Sequence, residues 1–274
     1  MFLRKFGLGA GLLAMGLAPW RLALAAPQPW QTGFQPAASP VMENIEDFHR
    51  FLLYITVAIC VLVLALLGWI VIRYNQRRNP VPGVVTHNTV LEVVWTIVPV
   101  IILVVIAIPS FKLLYFEADI PPPDLTIKAI GKQWFWTYQY STNGNFQFDS
   151  LGLSDANASK KGEPRLLGVD NVVVVPVNKV VRIVTTGADV IHSWAVPAFG
   201  VKMDAIPGHL NETWFKAERE GTYYGQCSEL CGARHAFMPI EVKVVSWDAF
   251  NAWIQIAKKK FASSGGSRVA ELAK

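Results

Sequence analysis

Charge is scarce in this sequence. Only 16% of its 274 residues are Asp, Glu, Lys or Arg, and the basic excess behind the isoelectric point of 9.1 is unevenly spread. Residues 116–245 carry 12 Lys and Arg against 14 Asp and Glu. The main folded part therefore has no basic face, and nucleic acid is excluded as a partner. The bases gather in the first residues, in Arg73, Arg77 and Arg78, and at Lys258 to Lys260. No internal repeat is visible, and no C-x-x-C-H string that would mark a fused c-type haem domain. Cysteine is sparse as well: Cys60, Cys227 and Cys231. Cys60 falls in an apolar run, where a buried, inert thiol is expected. The other two form a local pair that must be explained together.

Apolar residues are abundant, at 52% of the chain with a mean hydropathy of +0.32, and they concentrate near the N-terminus. Arg4 and Lys5 precede an apolar stretch over residues 7–17, and Ala23, Leu24 and Ala25 offer a small-residue cleavage site. Residues 1–26 therefore read as an export signal, the stretch being short for a third membrane helix. Residues 51–72 and 90–111 are two further apolar runs, each long enough to span a bilayer at about 20 residues. The loop between them holds three arginines and no acid, which places it on the cytoplasmic side and both ends of the mature chain outside. Residues 27–115 thus form an N-terminal segment and a transmembrane hairpin.

Pro121, Pro122 and Pro123 mark a stiff linker. Beyond it, strand patterns over 125–130, 133–140, 145–148, 172–177, 179–186, 213–217 and 239–245 alternate with turn signals such as Asn143-Gly144 and Pro207-Gly208. Short strands at this spacing predict a β-sandwich over residues 116–245. Alternation along 133–140 places Trp134, Trp136, Tyr138 and Tyr140 on one strand face. Residues 246–274 read as an amphipathic helix over 247–261 followed by a Ser/Gly-rich tail.

The stretch GQCSELCGARHAFMP, residues 225–239, carries the chemistry. Cys227, Cys231, His235 and Met238 follow one another at steps of four, four and three. Soft sulfur and imidazole ligands select copper over magnesium or calcium. Cys, His and Met within one inter-strand loop form the blue-copper ligand pattern, and Cys227 adds a second thiolate, enough to bridge two ions. His192 supplies a second imidazole from upstream. A Cys227–Cys231 disulfide would suit an exported domain, but leaves His192, His235 and Met238 unexplained. Zinc accepts two cysteines and two histidines, but has no need of the methionine.

With DVIHSWAVP, VKMDAIPG, FQPAASP, HNTVLEVVWTIVPV and GKQWFWTYQY elsewhere, this string resembles the subunit II family of bacterial haem–copper cytochrome c oxidases along nearly the whole mature chain. The resemblance implies a membrane-anchored α+β protein, a two-helix hairpin followed by a cupredoxin-like β-sandwich. It implies a dinuclear copper A centre bridged by Cys227 and Cys231, completed by His192, His235, Met238 and the backbone carbonyl of Glu229. The Glu229 side chain would reach a magnesium or manganese ion shared with subunit I. Trp134 would pass electrons in from cytochrome c, and Glu92 would stand at the mouth of a proton-uptake path; a first-turn acid is also stabilised simply by the helix dipole. Asp189 and Asp149 match acids of a cytochrome c docking surface, whereas Gln139 stands where an acid is usual. Subunits I and III, cytochrome c and the lipid bilayer are the implied partners. The implied location is the bacterial inner membrane, with the N-terminus and copper domain in the periplasm. A copper-free quinol oxidase subunit shares the fold, but the complete ligand set argues against it. A nitrous oxide reductase shares the copper centre, but would not be expected to have a two-helix anchor.

Overall fold

The computed structural model describes residues 23–28, 30–81, 83–142 and 144–261. Most of the export signal expected over residues 1–26, and the tail after Phe261, lie outside the described residues. The first element, β1 (Ala23–Ala25), is a short strand.

Helix α1 (Pro40–Arg73) begins where Ser39 accepts a hydrogen bond from the Met42 N–H, with Pro40 and Glu43 in the first turn. Ser at the cap, Pro just inside and an acid near the positive end each favour a helix start. Helix α2 (Thr89–Ala118) is capped by Asn88, which accepts from Val90 and Leu91. Both helices outrun the apolar segments read from the sequence. At 1.5 Å per residue they measure ~51 Å and ~45 Å, against ~30 Å of hydrocarbon. The extra turns lie at the outer end and bring in charge, with Glu43, Glu46, Asp47 and Arg50 in α1 and Lys112 and Glu117 among apolar residues in α2. The most apolar windows of the two helices have none of their residues buried within the chain, so their side chains face lipid or partner protein. Cys60 is among these exposed positions. The buried thiol expected there is corrected: its apolar run has no covering layer in this chain.

The β-rich part follows directly from α2. Its elements are β2 (Leu125–Lys132), β3 (Phe135–Tyr140), β4 (Phe146–Ser150), α3 (Asp155–Lys161), β5 (Val173–Pro176), β6 (Val180–Gly187), β7 (His192–Val196), β8 (Val201–Ala205), β9 (Asn211–Lys216), β10 (Gly221–Cys227), β11 (Pro239–Val245) and α4 (Trp247–Phe261). One sheet has the order β4-β3-β2-β6-β9, the other β5-β11-β10-β7-β8, with β1 parallel to the first half of β10. Their inner faces meet around Trp136, Tyr138, Tyr140, Trp194, Phe199, Phe215 and Tyr223, all fully buried. In β2 and β6 buried and part-exposed residues alternate strictly, as expected of strands with one face on the core. Trp134 is not part of this stack. β2 runs to Lys132, and Gln133 and Trp134 form the turn into β3, so the expected four-ring face reduces to Trp136, Tyr138 and Tyr140.

The outer turn of α1 is pinned to the sandwich. The Ala38 N–H donates to the Ala198 carbonyl at 2.8 Å, and the Glu218 N–H to the Ala38 carbonyl at 3.0 Å. Ser39 Oγ donates to the Phe199 carbonyl at 2.7 Å while accepting from Met42. Ala38, Ser39, Val41 and Met42 are buried, and a Cβ on Gly200 would press on Met42 and Ile45. Ser39→Ala removes a helix cap and leaves a buried carbonyl unpaired, a loss of about 1–3 kcal/mol. Thermal unfolding followed by near-ultraviolet circular dichroism should register it; an unchanged transition would show that this latch carries no stability.

Candidate metal centre

Three neighbouring strands meet at one end of the second sheet. β10 ends on Cys227, which stands opposite Trp194 of β7. β11 begins just after Met238 and runs antiparallel to β10, with Gln226 opposite Pro239. β7 begins on His192. The Cys227 N–H donates to the Met238 carbonyl at 3.3 Å, and the Ser228 N–H to the Ser193 carbonyl at 3.0 Å. The ligand loop therefore hangs from three strand ends already fixed by sheet pairing.

Six donor atoms converge there. Cys227 Sγ lies 3.9 Å from His192 Nδ1, 3.9 Å from Cys231 Sγ and 3.3 Å from the Glu229 carbonyl oxygen. Cys231 Sγ lies 3.5 Å from His235 Nδ1 and 3.5 Å from Met238 Sδ. His192, Cys227 and Cys231 form the tightest group, their ligand atoms within 4.8 Å of one another; His235 joins through Cys231. His192 and Met238 are fully buried and the two cysteines nearly so. The thiols are free, and their separation is about twice the 2.0 Å of a disulfide. Six donors of mixed softness, with one imidazole beside each thiol, exceed the four positions of a structural zinc site. They fit two copper ions sharing both sulfurs.

The surroundings hold these ligands in place. A Cβ on Gly131 would lie 2.7 Å from the His192 ring, so β2 has a glycine where the imidazole crosses it. Trp136 packs edge-on against the same ring at 6.0 Å between centroids. His192 Nε2 meets Asp189 Oδ1 at 2.8 Å, which leaves Nδ1 as the atom turned to the sulfurs. Gln133 Nε2 and Trp134 Nε1 both donate to the Cys231 carbonyl, at 2.9 and 3.2 Å. Burial opposes ionisation of Cys227, but hydrogen bonds from His192 and from backbone groups overcome it and hold that thiol down to about 7. Burial and the neighbouring Cys227 charge push Cys231 up to about 12.

The other sequence-derived positions lie apart. The Glu229 side chain is exposed, and only its carbonyl enters the cluster. Glu92 is half-buried in the first turn of α2, ~39 Å along that helix from its outer end. Asp149 accepts from Thr137 Oγ1 at 2.6 Å. Gln139 is bonded to Gln147 across the sheet at 2.7 Å. Gly131 and Gln133 went unrecognised in the sequence because their roles depend on which strand crosses the imidazole.

Residues 27–113 match the family model described as cytochrome c oxidase subunit II, transmembrane domain. Residues 125–245 match the one described as its periplasmic domain. The chain belongs to the cytochrome c oxidase subunit II family. It is 50% identical over 262 residues to a probable cytochrome c oxidase subunit 2 of Rickettsia conorii, covering 95% of this chain and 82% of the relative. It is 45% identical over 269 residues to cytochrome c oxidase subunit 2 of Cereibacter sphaeroides, covering 91% of this chain and 89% of the relative. The crystal structure of the periplasmic domain of subunit II of the Bradyrhizobium japonicum oxidase is 62% identical; the match covers 52% of this chain and 99% of that one, with a TM-score of 0.49. As a subunit II chain, this protein is a membrane-anchored component of a haem–copper oxidase, with copper A as its implied electron carrier. The donor set described above fits that centre.

The two thiols should titrate far apart in reduced, copper-free protein. In a Cys60→Ser background, thiolate absorbance in the ultraviolet should appear in two separated steps, the first below and the second above the ordinary cysteine range. A single two-thiol step near the ordinary cysteine value of ~8.5 would contradict the assigned hydrogen bonding.

Proposed function

We propose that this chain accepts electrons from cytochrome c through Trp134 into a copper A centre built on His192, Cys227, Cys231, His235, Met238 and the Glu229 carbonyl, for delivery to haem a of subunit I. The convergence of these six donors around two unbonded thiols carries the reading. Held by these residues, a copper A centre would supply a one-electron store, while oxygen reduction and proton pumping belong to the catalytic subunit. The protein's part is to hold the ligands rigidly and keep them dry. Strand pairing fixes Cys227 and His192, and the apolar packing around Met238 and Trp136 excludes water. None of the six is an acid–base catalyst in this setting.

Trp134 suits electron entry because it is partly exposed while its indole N–H is bonded to the carbonyl of a bridging cysteine. Glu92 suits proton uptake because the arginine loop places the start of α2 on the cytoplasmic side, and an acid at a membrane helix calls for a function. The exposed Glu229 carboxylate is available to a magnesium or manganese ion shared with subunit I, since hard cations prefer carboxylate oxygen. On this reading residues 116–245 lie in the periplasm of a bacterial inner membrane, and a signal over residues 1–26, β1 included, is removed. Residues 27–115 form the anchor there, and residues 246–274 a terminal helix and tail. Subunit III joins subunit I in the assembled complex.

Copper analysis and electron paramagnetic resonance of the purified protein test the core of this reading. Two coppers per chain and a mixed-valence signal split by two equivalent nuclei are expected; a copper-free protein with a Cys227–Cys231 disulfide would sink it. Substitutions should then separate the two outer roles. Trp134→Gln should slow cytochrome c oxidation with copper content unchanged, and Glu92→Ala should slow proton-coupled reduction of the catalytic site with cytochrome c oxidation by the copper centre unchanged. Parental kinetics in either variant would reject that residue's role.

A further inference from the structure

The seam between α1 and α2 opens, at the end nearest the sandwich, into a groove of about 430 Å³. Phe48, Phe51, Pro109 and Leu113 form its apolar part, and all four are half-buried. Phe48 and Phe51 stack at 6.5 Å between ring centroids and wall one side. Asn44, Asp47 and Lys112 also line it, so the groove carries both a cation and acceptors.

Depth separates these polar groups. The apolar runs end outward at Phe51 in α1 and Phe111 in α2, which marks the edge of the hydrocarbon layer. Lys112 follows Phe111 directly. Asp47 lies four residues outside Phe51 and Asn44 seven, ~6 Å and ~10 Å beyond the edge along a helix. Among the described residues Lys112 has no hydrogen bond or ion pair. A lysine at this depth extends its amine toward lipid headgroups. Asp47 meets Arg50 at 3.6 Å, with both side chains mostly in solvent, and such a pair holds neither group firmly. Asn44 donates its amide N–H to the Pro40 carbonyl at 2.7 Å, which leaves its side-chain oxygen as an acceptor.

We propose that this groove binds an aminophospholipid of the phosphatidylethanolamine type, with its phosphate on Lys112, its primary ammonium on Asp47 and Asn44, and an acyl chain along Phe48, Phe51 and Leu113. In such a lipid the phosphate joins the glycerol at the hydrocarbon edge and the ammonium stands beyond it. The groove presents its cation and its acceptors in that order. A primary ammonium brings three N–H donors and a charge to the Asp47 carboxylate and the Asn44 oxygen. A choline headgroup has the charge without the donors, and a glycerol headgroup lacks the charge. The site sits beside the Ser39 latch and is independent of the copper ligands.

The test uses the assembled oxidase, delipidated in detergent and then mixed with vesicles. Each vesicle preparation carries a photoactivatable acyl chain on phosphatidylethanolamine, phosphatidylcholine or phosphatidylglycerol. Mass spectrometry counts the crosslinks on residues 48–51 and 109–113. The ethanolamine lipid should label these segments most. Lys112→Gln should cut that labelling about 5-fold, in line with one basic residue at a lipid surface. Asp47→Asn should abolish the preference over phosphatidylcholine. Equal labelling by all three lipids, or labelling unaltered in Lys112→Gln, means bulk lipid only and overturns the proposal. Preferential labelling by phosphatidylglycerol overturns it in favour of an anionic lipid on Lys112 alone. Absence of labelling by all three shows that another subunit fills the groove, and equally refutes it. If Lys112→Gln fails to assemble, Asp47→Asn decides: a lost ethanolamine preference supports the site, and a retained one refutes it.

Discussion

Everything at the metal centre depends on one short piece of sheet pairing, the antiparallel register that sets Cys227 opposite Trp194 and Gln226 opposite Ala195. β10 and β7 meet over only these two pairs, yet they bring the last residue of one strand beside the first residues of the other. A Cβ on Gly225 would lie 1.9 Å from the Ala195 carbonyl, so this close approach tolerates no side chain at that position. With β11 paired on the other edge of β10, the loop from Ser228 to Met238 is held at both ends by backbone hydrogen bonds. The ligands then need little adjustment when metal enters or an electron arrives. Rigidity here is a property of the sheet, and the loop inherits it.

The same logic extends to the junction with the membrane anchor. Helices of 34 and 30 residues carry their outer turns well past the hydrocarbon layer, and Ala38, Ser39, Val41 and Met42 are buried. The Phe199 carbonyl that Ser39 reaches lies in the short 3-10 turn between β7 and β8. Ala198 and Phe199 therefore connect the anchor to the strand that begins with His192. A domain hung on a flexible tether would leave its metal at no fixed height above the bilayer. Burial of Ala38, Ser39, Val41 and Met42 instead gives the anchor and the metal centre a common frame.

Much of this was legible in the sequence wherever the signal is local. The membrane runs are compositional, and α4 coincides with its amphipathic pattern. The ligand spacing falls within one loop, so Cys227, Cys231, His235 and Met238 could be read together without knowing the fold. Beyond the linker three strands escaped, and β1 escaped as well because its residues fall within the expected export signal. All five residues of β7 are buried, and β10 is buried at five of seven positions, so neither shows the period-two alternation that marks a half-exposed strand. β8 is short and polar in its middle. Alternation in the sequence continues through Trp134, whereas hairpin closure depends on where β2 stops. The outer turns of α1 and α2 escape for a related reason: hydropathy reports the bilayer, and a helix need not end where the bilayer does.

Asp189 is the sharpest case of information the sequence does not hold. Three residues before a ligand histidine, a carboxylate can face solvent or turn back to the ring, and composition is silent on the choice. The direction is set by β6 and the turn after it, where the Ala188 N–H donates to the Gly131 carbonyl at 2.9 Å. That bond draws residues 188–190 against the β2–β3 turn, and the carboxylate then has Gln133 on one side and His192 on the other. Once both are within reach, bonds from Gln133, Val190 and His192 satisfy the carboxylate oxygens. The inward orientation is thus a consequence of sheet packing that places the ligand strand and the aromatic turn side by side.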